Sequence, residues 1–239
     1  MKIITWNCNG AFRKKVEAIL QFQADIYVIQ ECESPEQANG LYQRYFSDFL
    51  WKGENKNKGL GIFVRAGIKL KALHLPDENL ELFLPVLLND TVQLLAVWAK
   101  QANSPTFQYI GQIWKYLQLN LAQLDETVLI CGDFNSNSKW DVWDRWWNHS
   151  DVVSMLEKQN IFSIYHRALA EQQGHESQPT FFLQRNPLKA YHIDYIFASD
   201  QYWNLKNVKL RIGDAQDWLS QSDHLPLCCD INPFTKTCL

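Results

Sequence analysis

Short apolar runs alternate with polar breaks along the whole chain, and the spacing inside each run separates strands from helices. Residues 2–7, 26–29, 60–64, 127–131, 180–183, 193–198, 208–212 and 225–231 read as strands. Residues 82–88 and 92–98 predict a hairpin across Asn89-Asp90. Helical spacing appears over residues 12–23, where Val16, Ile19, Leu20 and Phe12 share a side. It recurs over residues 107–124 (Ile110, Ile113, Trp114, Leu117, Leu121) and over residues 151–158. Polar residues 52–59 are expected as a turn, and residues 174–179 as a loop. No repeat, linker or low-complexity tract divides the sequence, so residues 1–239 are expected to form one domain.

The polar positions that end these strands carry the functional signal. Asn7, Glu31, Asp133 with Asn135, and His224 each stand where an apolar run stops, and Asp194 interrupts the run around Ile193. Strand ends are rigid places from which side chains converge on one pocket. A charged or amide group at the edge of a buried strand costs desolvation energy unless it pairs or binds an ion. One such group is ordinary; five at successive strand ends favour a site.

Each group has a chemistry that suits it. In Gly132-Asp133-Phe134-Asn135 the carboxylate and carboxamide are two residues apart, so in extended chain they face the same way. Asp133 can then take a proton from water while Asn135 fixes the water or a phosphate; the plain alternative is a turn with ordinary Asp and Asn preferences. In Ser222-Asp223-His224 the neighbouring side chains need a bend to enter one cleft. Asp223 and Glu31 offer the hard oxygen that a divalent cation prefers, and Asn7 can orient Glu31 or bind directly. His224 suits a phosphoryl oxygen, with Asp194 as the carboxylate that holds its imidazole in one tautomer.

Composition changes the picture only at its edges. Hydrophobic residues make up 46% of the 239, ample for a sizeable core. With 23 basic and 26 acidic residues the formal charge is −3, which argues against tight non-specific duplex binding without excluding a local basic patch. The six cysteines include no Cys-x-x-Cys pair and read as buried thiols. Met1–Trp6 leads directly into strand-like sequence, and no apolar run is long enough to span a bilayer, so no membrane insertion is expected. A cytoplasmic monomer is the expectation.

Taken together, Thr5-Trp6-Asn7-Cys8-Asn9-Gly10, Ile29-Gln30-Glu31, Gly59-Leu60-Gly61-Ile62, Gly132-Asp133-Phe134-Asn135, Ile193-Asp194-Tyr195-Ile196 and Ser222-Asp223-His224 resemble the endonuclease/exonuclease/phosphatase superfamily, in the family's order over almost the whole chain. The opening, down to Asn7-x-Asn9-Gly10, is most similar to exonuclease III-type enzymes. The resemblance implies an α+β fold, a four-layer α/β/β/α sandwich of two packed mixed sheets with the site at one end. It implies Mg²⁺ or Mn²⁺ at Glu31 with Asn7 and Asp223 close by. Asp133 would activate water, Asn135 would bind the scissile phosphate, and His224, oriented by Asp194, would offset the charge developing on phosphorus.

Departures from the family pattern bear on substrate. Trp98-Ala99-Lys100 stands where family nucleases often place Tyr or His, which moves that hydrogen-bonding role to Lys100 or removes it. Cys32-Glu33 follows Gln30-Glu31 where Thr-Lys is usual, putting an acid in place of a base, and His192 replaces an Arg. Asn9, Arg185, Lys189 and Tyr191 join Lys100 as substrate-binding candidates, the last three also reading as a solvated loop. Trp140, Trp143 and Trp147 share one helical face, a pattern that favours packing on a sheet over stacking with bases. Three function classes stay open: a metal-dependent nuclease on DNA or RNA, a phosphodiesterase or phosphatase on a small-molecule or lipid phosphoester, and a non-catalytic binding protein on the same fold.

Overall fold

A computed structural model describes residues 1–102 and 104–233. The strands are β1 (Lys2–Asn7), β2 (Ile26–Cys32), β3 (Asp48–Asn55), β4 (Lys58–Val64), β5 (Leu70–Ala72), β6 (Phe83–Leu88), β7 (Val92–Trp98), β8 (Leu129–Asp133), β9 (Ile161–Ser163), β10 (Phe181–Phe182), β11 (Ala190–Tyr191), β12 (Asp194–Ser199), β13 (Lys209–Ile212) and β14 (Leu227–Asp230). The helices are α1 (Val16–Leu20), α2 (Ile110–Asn120), α3 (His149–Glu157), α4 (Ile164–Leu169) and α5 (Ala215–Trp218). Two six-stranded mixed sheets form, in the orders β13-β14-β1-β2-β4-β3 and β5-β6-β7-β8-β12-β9. The expected four-layer α/β/β/α sandwich is what the chain adopts.

Alternation along the central strands builds the layers, because successive side chains on a strand point to opposite faces. Ile3, Val28, Ile62, Leu94, Leu129, Ile196 and Leu227 fill the space between the sheets. Their neighbours Ile4, Trp6, Tyr27, Ile29 and Phe63 face outward and are covered by α1 and the loops around Phe12, Tyr42 and Trp218. On the other sheet, Leu95, Val97, Ile130, Tyr195 and Phe197 face outward under α2 and α3.

Several elements differ from expectation for local reasons. Residues 12–23 hold only a short 3-10 turn and α1, because Ala11 and Gln23 take left-handed backbone and bound the segment. The polar turn shrinks to Lys56-Asn57, since Asn55 pairs with Lys58 and residues 52–55 extend β3. Asn89 and Asp90 take left-handed backbone at the predicted hairpin. The five described cysteines are free and buried as expected; Cys238 lies outside the described residues. No helix among the described residues is long and apolar enough to cross a membrane.

Candidate active site

The site is the polar end of the layer between the sheets. Ile3, Thr5 and Asn7 alternate inward along β1, as do Leu129, Cys131 and Asp133 along β8. On β12 the inward series Ala198, Ile196, Asp194 runs toward the same end, because that strand is antiparallel to β8 and pairs Asp194 with Asp133. The same period that packs the core therefore delivers three polar groups to one mouth. Asn7 Nδ2 donates to Asp133 Oδ2 at 3.0 Å and lies 3.4 Å from Glu31 Oε1.

Glu31 reaches that mouth through a bulge. The β2–β4 register shifts between Gln30 and Cys32, and Glu31 sits there with φ +60°. Left-handed backbone is uncommon for such a residue and costs on the order of 1–3 kcal/mol. The extra residue frees Glu31 from the in–out alternation and turns it toward Asn7. Its other carboxylate oxygen is ion-paired with Lys58 at the start of β4.

His224 is placed by two hydroxyls. Ser222 Oγ donates to the Asn7 carbonyl at 2.7 Å and accepts the His224 backbone N–H at 3.0 Å, supplying the bend that adjacent Asp223 and His224 need. Thr180 Oγ1 accepts the backbone N–H of Ile193 and of Asp194 at 3.0 and 3.1 Å, while its carbonyl accepts Leu225 N–H at 2.7 Å. The result is a His224 Nδ1 to Asp194 Oδ2 contact of 2.9 Å, with Nε2 3.9 Å from Asp133 Oδ2. Burial works against a charged imidazole, but Asp194 and Asp133 outweigh it and hold His224 above its ordinary value. Burial and Asp194 push the Asp133 carboxyl up, against His224 and the Asn7 amide.

Asn135 completes the arrangement. Its backbone N–H donates to Asp133 Oδ1 at 2.8 Å, and its amide donates to Asp133 Oδ2 at 3.1 Å and to the Ala99 carbonyl at 2.8 Å. Asn9 N–H caps Asn7 Oδ1 at 3.0 Å, and Asn9 Nδ2 donates to Asp223 Oδ1 at 3.0 Å. Asn7, Asn9, Glu31, Asp133, Asn135, Asp194, Asp223 and His224 thus form one connected group. Two sets of donors could hold a cation. Asn7, Glu31 and Asp223 supply oxygen alone, which fits a hard ion such as Mg²⁺ or Mn²⁺. Asp133, Asp194 and His224 also bring ligand atoms within 4.8 Å of one another. Both sets are partly spent on internal contacts: His224 Nδ1 lies on Asp194, while Asn7 Oδ1 accepts Asn9 N–H, Asp223 Oδ1 accepts an Asn9 amide hydrogen and Glu31 Oε2 is ion-paired with Lys58.

The remaining substrate-binding candidates are placed differently. Lys100 is ion-paired with Glu54 and lies 3.5 Å from Glu81, so its charge is largely neutralised. Arg185 and Lys189 are exposed on the β10–β11 hairpin, and Tyr191 of β11 pairs with Phe181. The Phe181 ring lies 4.6 Å from the His224 imidazole. Glu33 is a structural acid. It is buried and accepts Phe12 N–H, Arg13 N–H and the Tyr42 hydroxyl at 2.7–2.8 Å. Burial would raise its carboxyl, but these bonds hold it below the ordinary value. His192 is buried against the Tyr165 ring at 4.2 Å, with Nδ1 on the Gln178 carbonyl.

Sequence reasoning missed Lys58, Thr180 and Phe181. A lysine between two polar loop residues and a glycine carries no period, and only the β2 bulge brings it to Glu31. Thr180 had a signal in its position just after Pro179, where a strand begins beside Asp194. The tryptophan-rich segment is also corrected. Residues 141–147 are not helical, and Trp143 is 95% and Trp140 42% exposed, while Trp147 packs 4.7 Å from the Phe107 ring and against Gly111 of α2, not on a sheet.

Residues 4–224 match the profile of the Endonuclease/Exonuclease/phosphatase family. No curated protein sequence matches the chain. Among solved structures, the 3' phosphatase NExo from Neisseria bound to a product DNA hairpin superposes with a TM-score of 0.71 at 20% identity, covering 97% of this chain and 99% of that one. An AP endonuclease from Archaeoglobus fulgidus gives 0.70 at 16% identity, with the same coverage of 97% and 99%. TDP2 from D. rerio complexed with a single-strand DNA product gives 0.64 at 16% identity, covering 97% and 98%.

Proposed function

The chain belongs to the Endonuclease/Exonuclease/phosphatase family, and from that premise we propose that it is a divalent-metal-dependent phosphodiester hydrolase acting on DNA or RNA by attack of water at phosphorus. One observation carries the reading: Asp133 Oδ2 receives the Asn7 and Asn135 amides at 3.0 and 3.1 Å while His224 Nε2 faces it at 3.9 Å. A carboxylate fixed on three sides, at a mouth between two rigid sheets, is positioned to orient water and take its proton.

Glu31, Asn7 and Asp223 would hold Mg²⁺ or Mn²⁺, which supplies charge neutralisation at a phosphoryl oxygen. His224, kept cationic by Asp194 and Asp133, supplies a second positive group toward the developing charge. Asn135 would give its amide to the phosphate by exchanging the hydrogen bond it makes to Asp133 or to the Ala99 carbonyl, and its left-handed backbone (φ +47°) aims that amide over Asp133. Lys58 completes the rim beside Glu31. The similar structures that hold DNA, together with the exposed cations Arg185 and Lys189, support a nucleic-acid substrate. Hydrolysis of a small phosphoester is the second reading, favoured by the neutralised Lys100.

Labelled single- and double-stranded DNA, RNA and bis-p-nitrophenyl phosphate, each with Mg²⁺, Mn²⁺ or EDTA, test the reading. Metal-dependent cleavage that disappears in Asp133→Asn and His224→Ala is expected. Absence of turnover on all four substrates, with no metal binding by calorimetry, would overturn it.

A further inference from the structure

Glu176 carries a buried carboxylate outside the group that surrounds Asp133. It lies in the loop between α4 and β10, and its side chain is only 2% exposed. Oε1 accepts Gly174 N–H at 2.8 Å and faces His166 Nε2 at 3.1 Å, while Oε2 accepts the Asn137 amide at 3.1 Å. An ionised carboxylate is expensive to bury unless hydrogen bonds replace its water. Burial would raise this carboxyl, but the bonds from His166, Gly174 and Asn137 hold it down at about 2. The histidine is itself set for this contact. Ser163 Oγ lies 2.7 Å and Gln173 Nε2 3.3 Å from His166 Nδ1. The Gln173 amide nitrogen can only donate, so Nδ1 accepts and the ring proton sits on Nε2, toward Glu176.

What Glu176 grips is the end of the turn that carries Asn135. Phe134 N–H donates to the Ile193 carbonyl at 2.9 Å, and the Tyr195 hydroxyl donates to the Ser136 carbonyl at 3.1 Å. The Asn137 amide also donates to the His192 carbonyl at 2.9 Å. Asn135 stands between these fixed points with φ +47°. Left-handed backbone is sparsely populated outside glycine, and it persists where the residues on either side are held.

We propose that Glu176 is a positioning residue for the hydrolytic site: through Asn137 it fixes the turn on which Asn135 takes left-handed backbone, and so sets the Asn135 amide against Asp133. This rests on the hydrolase reading above and deepens it by naming what holds its phosphate-binding amide in place. Only a carboxylate fits here. A glutamine would turn an NH₂ toward Asn137, or toward Gly174 and His166, and all three already donate. Asn135 meets Asp133 at 2.8 Å through its backbone and 3.1 Å through its amide, so a small shift of the turn reaches the reacting groups.

The test compares the full chain with its Glu176→Gln variant on bis-p-nitrophenyl phosphate at saturating Mn²⁺. Thermal unfolding curves first fix a temperature at which every variant is folded, so lost stability does not enter the rate. Glu176→Gln should lower kcat by about 10²-fold, the scale of a misplacement near 1 Å. In an Asn135→Ala background the same substitution should cost almost nothing, because both act on one contact; a merely structural role gives the full loss in either background. His166→Gln keeps an N–H for Oε1 and should retain most of kcat, whereas His166→Leu should not. Should Glu176→Gln fail to fold, Asn137→Ala cuts the same link from its other end. Nitrogen-15 spectra read the placement without turnover: the Asn135 side-chain amide signals should move in Glu176→Gln while those of Asn9 stay. Parent-like kcat, equal losses in both backgrounds, or unmoved Asn135 signals would overturn the proposal. A parent chain without turnover would instead overturn the hydrolase reading, and the amide signals would still decide whether Glu176 places Asn135.

Discussion

The side-chain amide of Asn7 donates to Asp133 Oδ2 at 3.0 Å, and so joins the end of β1 in one sheet to the end of β8 in the other. Because Asn7 also approaches Glu31, it sets the separation between the half of the site proposed to hold a metal and the half proposed to orient water. Asn7→Ala should lower kcat by about 10²-fold, the scale seen when one preorganised donor is removed from a dry site. Steady-state kinetics on bis-p-nitrophenyl phosphate reads this directly. A rate close to that of the parent would show that Asp133 needs no bridge to the first sheet.

Asp194 and His224 form the second fixed pair. The imidazole Nδ1 is 2.9 Å from Asp194 Oδ2, which leaves Nε2 protonated toward the pocket only if Nδ1–H donates and the ring carries both protons. Asp194→Asn keeps the shape but replaces an acceptor with an amide that can offer N–H instead. It should cost about 10²–10⁴ in kcat, by the tautomer argument that governs carboxylate–histidine pairs. His224→Ala should be no worse in combination with it than alone, because the two act as one unit. Additive losses in the double variant would separate their roles.

Much of this was legible in the sequence, and the reason is period. Strands whose apolar residues alternate declare both their faces and their ends, so the polar strand-end residues follow from one pattern, while the four layers were implied by the family resemblance. Gly132 shows how packing then fixes a motif: a Cβ there would lie 1.8 Å from the Val97 carbonyl oxygen of β7. What stayed hidden depends on contacts distant in sequence or on backbone that breaks the pattern. The Glu31 bulge, the Ser222 bend and the pairing of Lys58 with Glu31 leave no periodic trace. Trp140, Trp143 and Trp147 share a helical spacing without a helix, because Asn148 closes a turn there instead, accepting Val142 N–H at 2.9 Å and donating to the Arg145 carbonyl at 2.6 Å.

Away from the site, His149 opens α3 with its ring fully buried against Tyr195 at 5.0 Å. Burial pushes it down to about 4, outweighing the Gln173 hydrogen bond and the charges of Asp141 and Glu176, with His166 acting in the same direction as burial. Its place in the first helical turn adds to the penalty on a cation. An unfolded histidine titrates near 6.5, so between 6.5 and 4 the unfolded chain binds the extra proton and stability falls with pH. At pH 5.5 the loss relative to pH 7.5 is roughly 1.4 kcal/mol from this group. Urea unfolding at the two pH values should show it, and His149→Phe should remove about that much of the difference. An unchanged difference in the variant would place the acid sensitivity elsewhere.

Lys58 bears on the metal. Its ammonium is ion-paired with Glu31 Oε2, although the lysine side chain is half exposed and that of Glu31 only 19% exposed. A cation already on this carboxylate competes with any divalent ion that Glu31, Asn7 and Asp223 would hold. Exposed ion pairs contribute about 0.2–1 kcal/mol, so Lys58→Met should tighten the metal by roughly 1.4-fold to fivefold. The same substitution removes a positive group from the rim, and kcat should fall at saturating metal. The two effects are separable in one experiment: titration of Mn²⁺ against rate, in which the half-saturating concentration drops while the plateau falls. A higher half-saturating concentration would mean that Lys58 supports the metal site instead of competing with it.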